Sequence, residues 1–360
     1  MKKTAFNEKK MPAAAVCCLV FAIILAGCGG TGSPANGNGH TSGWSAPQRL
    51  AALDDFASIE IVFGAGRFFA FGTHHNRNPL VKISTDGINW SDVTSIFNDI
   101  GFARIGSLSF CGGKFFASGL DHDENPLVKF SINGTSWSDI TYELDDFYRK
   151  VSIVYGMGKF LAFGLSTNYY EALVKSSTKG TNWSMVTPYF NEFYWIDDIV
   201  FSGERFFTFG LNTEHFELLV NTSTDGISWS DITSSFSDFL WIDNIFFGGG
   251  RFFVFGPSRG GTPLVMASAD GTMWSDITSG FSGFHWIDDT FFGGGMFLVF
   301  GAHSDESPLV KFSTDGTNWS DITSRLDDFY RRINIISNEG RIFVFGRDAG
   351  NNFIVAVKHS

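Results

Sequence analysis

Ser84-Thr85-Asp86-Gly87-Ile88-Asn89-Trp90 is one copy of a motif that returns along the chain, with close copies ending in Trp229 (Asp225, Gly226), Trp274 (Asp270, Gly271) and Trp319 (Asp315, Gly316). Its tryptophan belongs to a longer series, Trp44, Trp90, Trp137, Trp183, Trp229, Trp274 and Trp319, whose members stand 46, 47, 46, 46, 45 and 45 residues apart. A second series keeps the same step: Phe68 to Gly72, Phe115 to Gly119, Phe160 to Gly164, Phe206 to Gly210, Phe252 to Gly256, Phe297 to Gly301 and Ile342 to Gly346. Seven copies of each marker at one fixed spacing are the signature of a repeat architecture.

Outward from the motif, one period reads as four short strands, Ile59 to Phe63, Arg67 to Phe71, Leu80 to Ser84 and Asn89 to Thr94, divided by Gly, Asn and Asp turns. The segments are rich in Phe, Ile and Val and too short for helices. Four strands in about 46 residues make one propeller blade. Runs such as Arg67 to Phe71 are almost continuously apolar, as expected of a sheet covered on both faces. An open solenoid would show the same period, so the chain ends decide. The last repeat has three strands (Arg332 to Ser337, Arg341 to Phe345, Phe353 to His359), while a lone strand around Trp44, Thr41 to Gln48, opens the first. Pairing them completes a seventh blade and leaves no uncapped edge. The expected fold is all-β: a single seven-bladed β-propeller of four-stranded blades over residues 41–360, closed by the N-terminal strand on the C-terminal blade.

The Ser-Thr-Asp-Gly-x-x-Trp turns resemble the Asp-box hairpins of sialidase-type propellers and, more closely, repeats of bacterial propellers related to photosystem II assembly factors. The spacing departs from the usual Asp box, with one residue fewer between Asp and Gly. Sialidase activity would further imply an arginine triad, an early Arg-Ile-Pro stretch and a Tyr with a Glu partner. No Arg-Ile-Pro occurs, so the resemblance implies the fold and the turn rather than that chemistry. Asn133 and Lys179 replace the Asp in two copies, which argues against a ring of cation sites.

Residues 1–27 carry Lys2, Lys3, Lys9 and Lys10, then an apolar run from Ala13 that includes Leu19, Val20, Phe21, Ile23, Ile24 and Leu25. That is the layout of a secretory signal, and about 15 apolar residues is short for a spanning helix. Leu25-Ala26-Gly27-Cys28 resembles the bacterial lipoprotein box, which implies cleavage before Cys28 and acylation of that cysteine as a membrane anchor. Gly29 after it implies the outer membrane if the cell is Gram-negative. Residues 28–40, rich in Gly, Asn and Ser, read as a flexible tether. After cleavage Cys111 is the only other cysteine, so packing and not disulfides must hold the domain. It stands where other repeats have Gly or Ser and reads as a filler.

The chain has 41 Phe and 10 Trp against 9 Pro, ample for a large core. Its net charge of −11 and lack of a basic stripe exclude a nucleic-acid partner. No phosphate loop, nucleophile elbow or His-Glu metal motif occurs, so no catalytic residue, cofactor or metal is assigned. The acidic pairs Asp54-Asp55, Asp145-Asp146 and Asp327-Asp328 recur at one place in the repeat and read as turn or capping groups.

Individuality lies where the repeat breaks. The residue entering each innermost strand is Ala57, Arg104, Arg149, Trp195, Trp241, Trp286 or Arg331. Only the Trp blades carry Trp195-Ile196-Asp197-Asp198, Trp241-Ile242-Asp243-Asn244 and Trp286-Ile287-Asp288-Asp289. Entering from the loops between blades, these residues should reach one channel mouth, beside the polar loops joining second to third strands. Two readings stand open. The indoles fill space between blades and each Arg pairs with a loop acid, or Trp195, Trp241, Trp286, Asp197, Asp243, Asp288, Arg104, Arg149 and Arg331 form a mouth that stacks a sugar or holds a peptide. The functional expectation is a noncatalytic envelope binding or scaffold module for a protein or glycan. The alternative is a glycoside hydrolase or lyase using Asp197, Asp243 or Asp288.

Overall fold

The computed structural model describes residues 43–148, 151–167, 171–329, 331–338 and 340–359. The signal, the tether and Cys28 lie outside the described residues. The described chain forms seven four-stranded antiparallel sheets. Blade 1 runs outward from the axis as Phe56–Gly64, Arg67–His74, Pro79–Ser84 and Ser91–Asp92. Blades 2 to 6 repeat it from the inner strands Arg104–Cys111, Ser152–Gly156, Phe193–Ser202, Asn244–Gly248 and Trp286–Gly293. Blade 7 takes Arg331–Asn338, Arg341–Arg347 and Phe353–His359 from the end of the chain and Gln48–Arg49 from its beginning. Neighbouring inner strands touch all the way round, blade 7 against blade 1 included, so the ring is closed.

The closing segment is longer than its regular strand. Ser45 N–H donates to Val357 O (2.8 Å), Leu50 N–H to Phe353 O (2.7 Å), and Trp44 bridges to Lys358. Pro47, without an N–H, interrupts the ladder between them.

Packing between blades explains the tryptophan period. The apolar interior divides into seven clusters, each shared by two adjacent blades, and each takes one tryptophan of the series: Trp90, Trp137, Trp183, Trp229, Trp274, Trp319 and, between blades 6 and 7, Trp44. In blades 1 to 6 the Phe at the start of the second strand meets the blade's own tryptophan edge-on or tilted, as where Phe68 lies 6.3 Å from Trp90 and 5.0 Å from Phe343 of blade 7. Aromatic pairs of this geometry add to the stabilisation from area burial.

The turn before each tryptophan is built from side chains. Asp86 Oδ1 accepts the amides of Ile88 and Asn89 (both 2.8 Å), Ser84 Oγ accepts that of Gly87 (2.9 Å), and Gly87 takes φ +76°. In blade 4 the amides of Ser228 and Ile227 hold the Asp225 carboxyl down to about 2. Asn133 makes the same two amide contacts. At Lys179 there is no such acceptor, and Trp183 N–H donates instead to Glu143 Oε2 (3.0 Å).

The outermost strand is shorter than the sequence suggests. Asn89 to Thr94 contains only Ser91–Asp92 as strand, followed by the helix Thr94–Asp99. The physical reason is Thr94: its Oγ1 accepts the amide of Val81 (3.0 Å) and donates to the Val81 carbonyl (3.3 Å). Asp92 accepts the Thr94 amide (2.8 Å), turning the chain into the helix. The same threonine clamp recurs at Thr141, Thr187, Thr233, Thr278 and Thr323. The short helices bury Phe97, Leu144, Phe190, Phe236 and Phe281 between blades.

Two of the acidic pairs lock these connections. Asp55 pairs with the buried Lys82 and Asp146 with the half-buried Lys175, both at 2.7 Å. Cys111 is fully buried, and burial pushes its thiol up, which makes it an inert filler.

Candidate functional site

Strand register sets the face on which the site lies. Trp195 pairs with Leu211, Trp286 with Ala302 and Arg104 with Leu120, so the start of each inner strand adjoins the end of the second strand and the loop after it. Loops between blades and loops between second and third strands therefore share one face. Immediately after these residues the inner strand bulges, with register shifts between Ile196 and Asp198 and between Ile287 and Asp289, which leaves Asp197 and Asp288 as the extra residues. A bulge re-aims side chains, and bulges concentrate at the rims of closed sheets.

A glycine makes room for this crossing. A Cβ placed on Gly210, Gly256 or Gly301 would fall well inside contact distance of the carbonyl oxygen of Trp195, Trp241 or Trp286 respectively. The glycine that ends each second-strand repeat thus has a specific task, to let the backbone of the mouth residue lie against it.

The indoles reach solvent to different extents. Trp195 is 42% exposed and Trp286 37%, with Trp241 half-buried. Trp241 Nε1–H donates to Asp243 Oδ1 (2.8 Å), and the Trp195 indole lies near enough to Asp197 to favour its ionised carboxyl. Water reaches the Asp243 carboxyl, but the surrounding blades displace most of its bulk solvent. That desolvation raises it, the Trp241 indole pulls it partway back, and the Asp288 carboxylate raises it further, to about 6. Asp197 rises to about 6 for the same reasons, with Asp243 as its like-charged neighbour. The three aspartates therefore form an arc on consecutive blades. Among the described residues no group of three His, Cys, Asp or Glu side chains is placed to hold a metal ion.

The arginines divide. Arg104 reaches the loop acid Glu124 (2.7 Å), an exposed pair in which it is already engaged. Arg149 lies outside the described residues, and Arg331 begins the inner strand of blade 7, its side chain also outside them. The structure thus brings together the Trp and Asp side chains of blades 4 to 6 and gives Arg104 a separate partner.

Two features of this face were missed in the sequence. At one register position every inner strand is polar: Glu60, Ser107, Ser152, Asp198, Asn244, Asp289 and Asn334, facing Phe71, Ser118, Phe163, Phe209, Phe255, Phe300 and Phe345. Two of them tie neighbouring blades, Asn244 Nδ2 to Thr290 Oγ1 (2.9 Å) and Asn334 Nδ2 to Ile61 O. The second is exposed apolar surface: Tyr194 against Phe216 at 4.9 Å, next to Trp195 in the chain, and Leu240, next to Trp241. Alignment of the seven repeats on their second-strand glycine reveals the polar ring.

The raised carboxyls have a consequence for stability. Their folded pKa lies above the ordinary value of 3.8, so the native state holds these protons more tightly than the unfolded chain does. The stabilisation is complete below about pH 4 and is lost as pH rises through about 6. Asp243→Asn is therefore expected to gain about 1 kcal/mol over wild type at pH 8, a figure reduced for solvent screening, and nothing at pH 4. Urea unfolding at the two pH values measures it, and an equal effect at both would refute the assignment.

No family model and no curated protein matches the sequence. Solved structures do match. The β-propeller domain of the trilobed protease from Pyrococcus furiosus, described as having an open Velcro topology, aligns with a TM-score of 0.57 at 9% identity, over 84% of this chain and 95% of that one. A prolyl endopeptidase (0.54, 13%, 89% of this chain) and the GH74 xyloglucanase of Xanthomonas campestris (0.54, 12%, 86%) also align. In these two cases the match spans only about half of the other chain, 50% and 53%. At such identities the likeness establishes the fold: the chain is a seven-bladed β-propeller, closed by its own N-terminal strand.

Proposed function

We propose that the protein is a noncatalytic binding propeller of the bacterial envelope, carried by a lipid on Cys28 and contacting a protein or glycan through the mouth on blades 4 to 6. The observation that carries this reading is the row of indoles on three consecutive blades, exposed on blades 4 and 6 and half-buried on blade 5, where Trp241 is fixed by a hydrogen bond to Asp243. Rigid, exposed aromatic faces are the usual anchors of recognition surfaces. The lipoprotein-type signal and the tether-like residues 28–40 support display at a membrane surface, the outer membrane in a Gram-negative cell.

The same carboxyls support a glycan-active enzyme less well. Hydrolysis of a glycosidic bond uses two carboxyls whose environments drive their pKa values apart, one acid and one base. Here Asp197 and Asp243 are raised together, to the same value and by the same causes. Repetition of one environment yields a surface and not an acid–base pair.

Photo-crosslinking from position 240, set against position 204 on the opposite face, together with a glycan array of wild type and Trp241→Ala, tests the reading. Crosslinks or glycan signals that depend on Trp241 are expected. Release of free sugar from any arrayed glycan would overturn it.

A further inference from the structure

The exposed residues of the mouth have a one-sided chemistry. The indole N–H of Trp241 is committed to Asp243, and the Trp195 indole lies beside Asp197. What these residues still offer a ligand is the π face of each ring and the outward lone pairs of the carboxylates. Sugar hydroxyls call for donors as well as acceptors, and these residues supply acceptors and aromatic faces. Trp is the ring that attracts a cation most strongly. The guanidinium of Arg104, on blade 2 of the same face, is held by Glu124.

We propose that this aromatic arc docks a basic polypeptide segment, with a Lys ammonium or Arg guanidinium seated over the indoles of blades 4 to 6 and facing Asp197, Asp243 and Asp288. The inference rests on the binding reading above and narrows it to one kind of partner. Three lines meet in it. Charge complementarity is the first, since the arc is acidic and the chain carries −11 overall. Mutual repulsion is the second: Asp197 feels Asp243, and Asp243 feels Asp288, a row of like charges that a ligand cation would relieve. The third is exposed apolar surface next to two of the indoles in the chain, the Tyr194–Phe216 pair (38% and 55% exposed) beside Trp195 and Leu240 (43%) beside Trp241, which suits the apolar residues that flank a basic one in a peptide.

The test uses the full chain at physiological salt, where loose surface attraction is largely screened. Fluorescence anisotropy follows a blocked, fluorescein-labelled nonapeptide of three Gly-Lys-Leu repeats and its counterpart with norleucine for lysine. Saturable binding of the lysine peptide is expected, at least tenfold tighter than the norleucine peptide. Trp241→Ala and Asp243→Asn are each expected to weaken it at least fivefold, Trp241→Phe to retain most of it, and Glu204→Gln, on the opposite face, to leave it unchanged. Thermal melts of each variant confirm folding. Equal binding of both peptides, still lost in Trp241→Ala, would overturn the cation while leaving the mouth as the binding site. Lysine-peptide binding that survives Trp241→Ala would overturn both. A glycan that binds through Trp241 while neither peptide does would overturn the inference and keep the broader reading.

Discussion

Excising Gly43–Leu50 is expected to lower the thermal midpoint by about 10 °C or more and to make the protein self-associate. The segment does two separable things. Its backbone covers the last strand, through Ser45 N–H to Val357 O, Leu50 N–H to Phe353 O and Val357 N–H to Ser45 Oγ. Its side chains enter two different interfaces: Trp44 packs between blades 6 and 7, and Leu50, 2% exposed, lies between blades 7 and 1. Each net hydrogen bond contributes about 1 kcal/mol, and burial of a leucine about 2. With the indole added, the loss is several kcal/mol out of a typical 5–15. For a domain of this size each kcal/mol moves the midpoint by about 2 °C. Excision also bares Phe353–His359, a strand whose other side is already paired and whose sequence is mostly apolar, which is an aggregation-prone edge. Calorimetry and light scattering read the two effects. Removal of eight residues from the Gly- and Asn-rich stretch before it is the control, expected to be silent. An unchanged midpoint after excision would show that sheet-face packing alone holds the ring.

Trp44 shows why the architecture could be read from the sequence. Each interface takes one indole, so seven blades require seven, and the chain supplies six within complete repeats and one ahead of them. The period and the two complementary ends were therefore sufficient. The outer strand was misjudged because Thr94 replaces a ladder bond by a side-chain one, and a threonine that mimics backbone looks the same in sequence as one that continues a strand. At the mouth, Trp195, Trp241 and Trp286 were visible as breaks in the repeat. Their exposure was not, because an indole entering from a loop has the same sequence signature whether it plugs a gap or stands in water. The pairing of Trp241 with Asp243, and the arc that Asp197 and Asp288 complete, depend on the local bulge and inter-blade spacing, which only register reveals. The polar ring from Glu60 to Asn334 was hidden for another reason: Ser, Asp, Asn and Glu share a role there without sharing a letter.

The period's most repetitive small residue leads to the second large effect. Gly256→Ala is expected to cost about 2 kcal/mol of stability and at least tenfold in affinity for whatever the mouth binds. The backbone there is not in the left-handed region, so an alanine suffers no torsional penalty and the cost is steric alone. The added methyl would overlap the carbonyl oxygen of Trp241 and press on the Cα of Ile242 and the ring of Phe239. Inserting a carbon into a well-packed site typically costs 1–3 kcal/mol because neighbours must shift. The neighbour that can shift is the loop entry to the inner strand, which precedes the first ladder pair at Asn244, whereas the second strand is pinned on both sides. Trp241 then moves, and with it the 2.8 Å contact that aims Asp243. Gly106→Ala separates this effect from a general intolerance of glycine replacement, because a Cβ there meets nothing nearer than the Ser118 carbonyl at 3.6 Å, ordinary contact. Urea unfolding and the anisotropy titration applied to both variants decide the matter. Loss of stability without loss of affinity would separate the glycine from the mouth, and equal effects of the two alanines would refute the steric account.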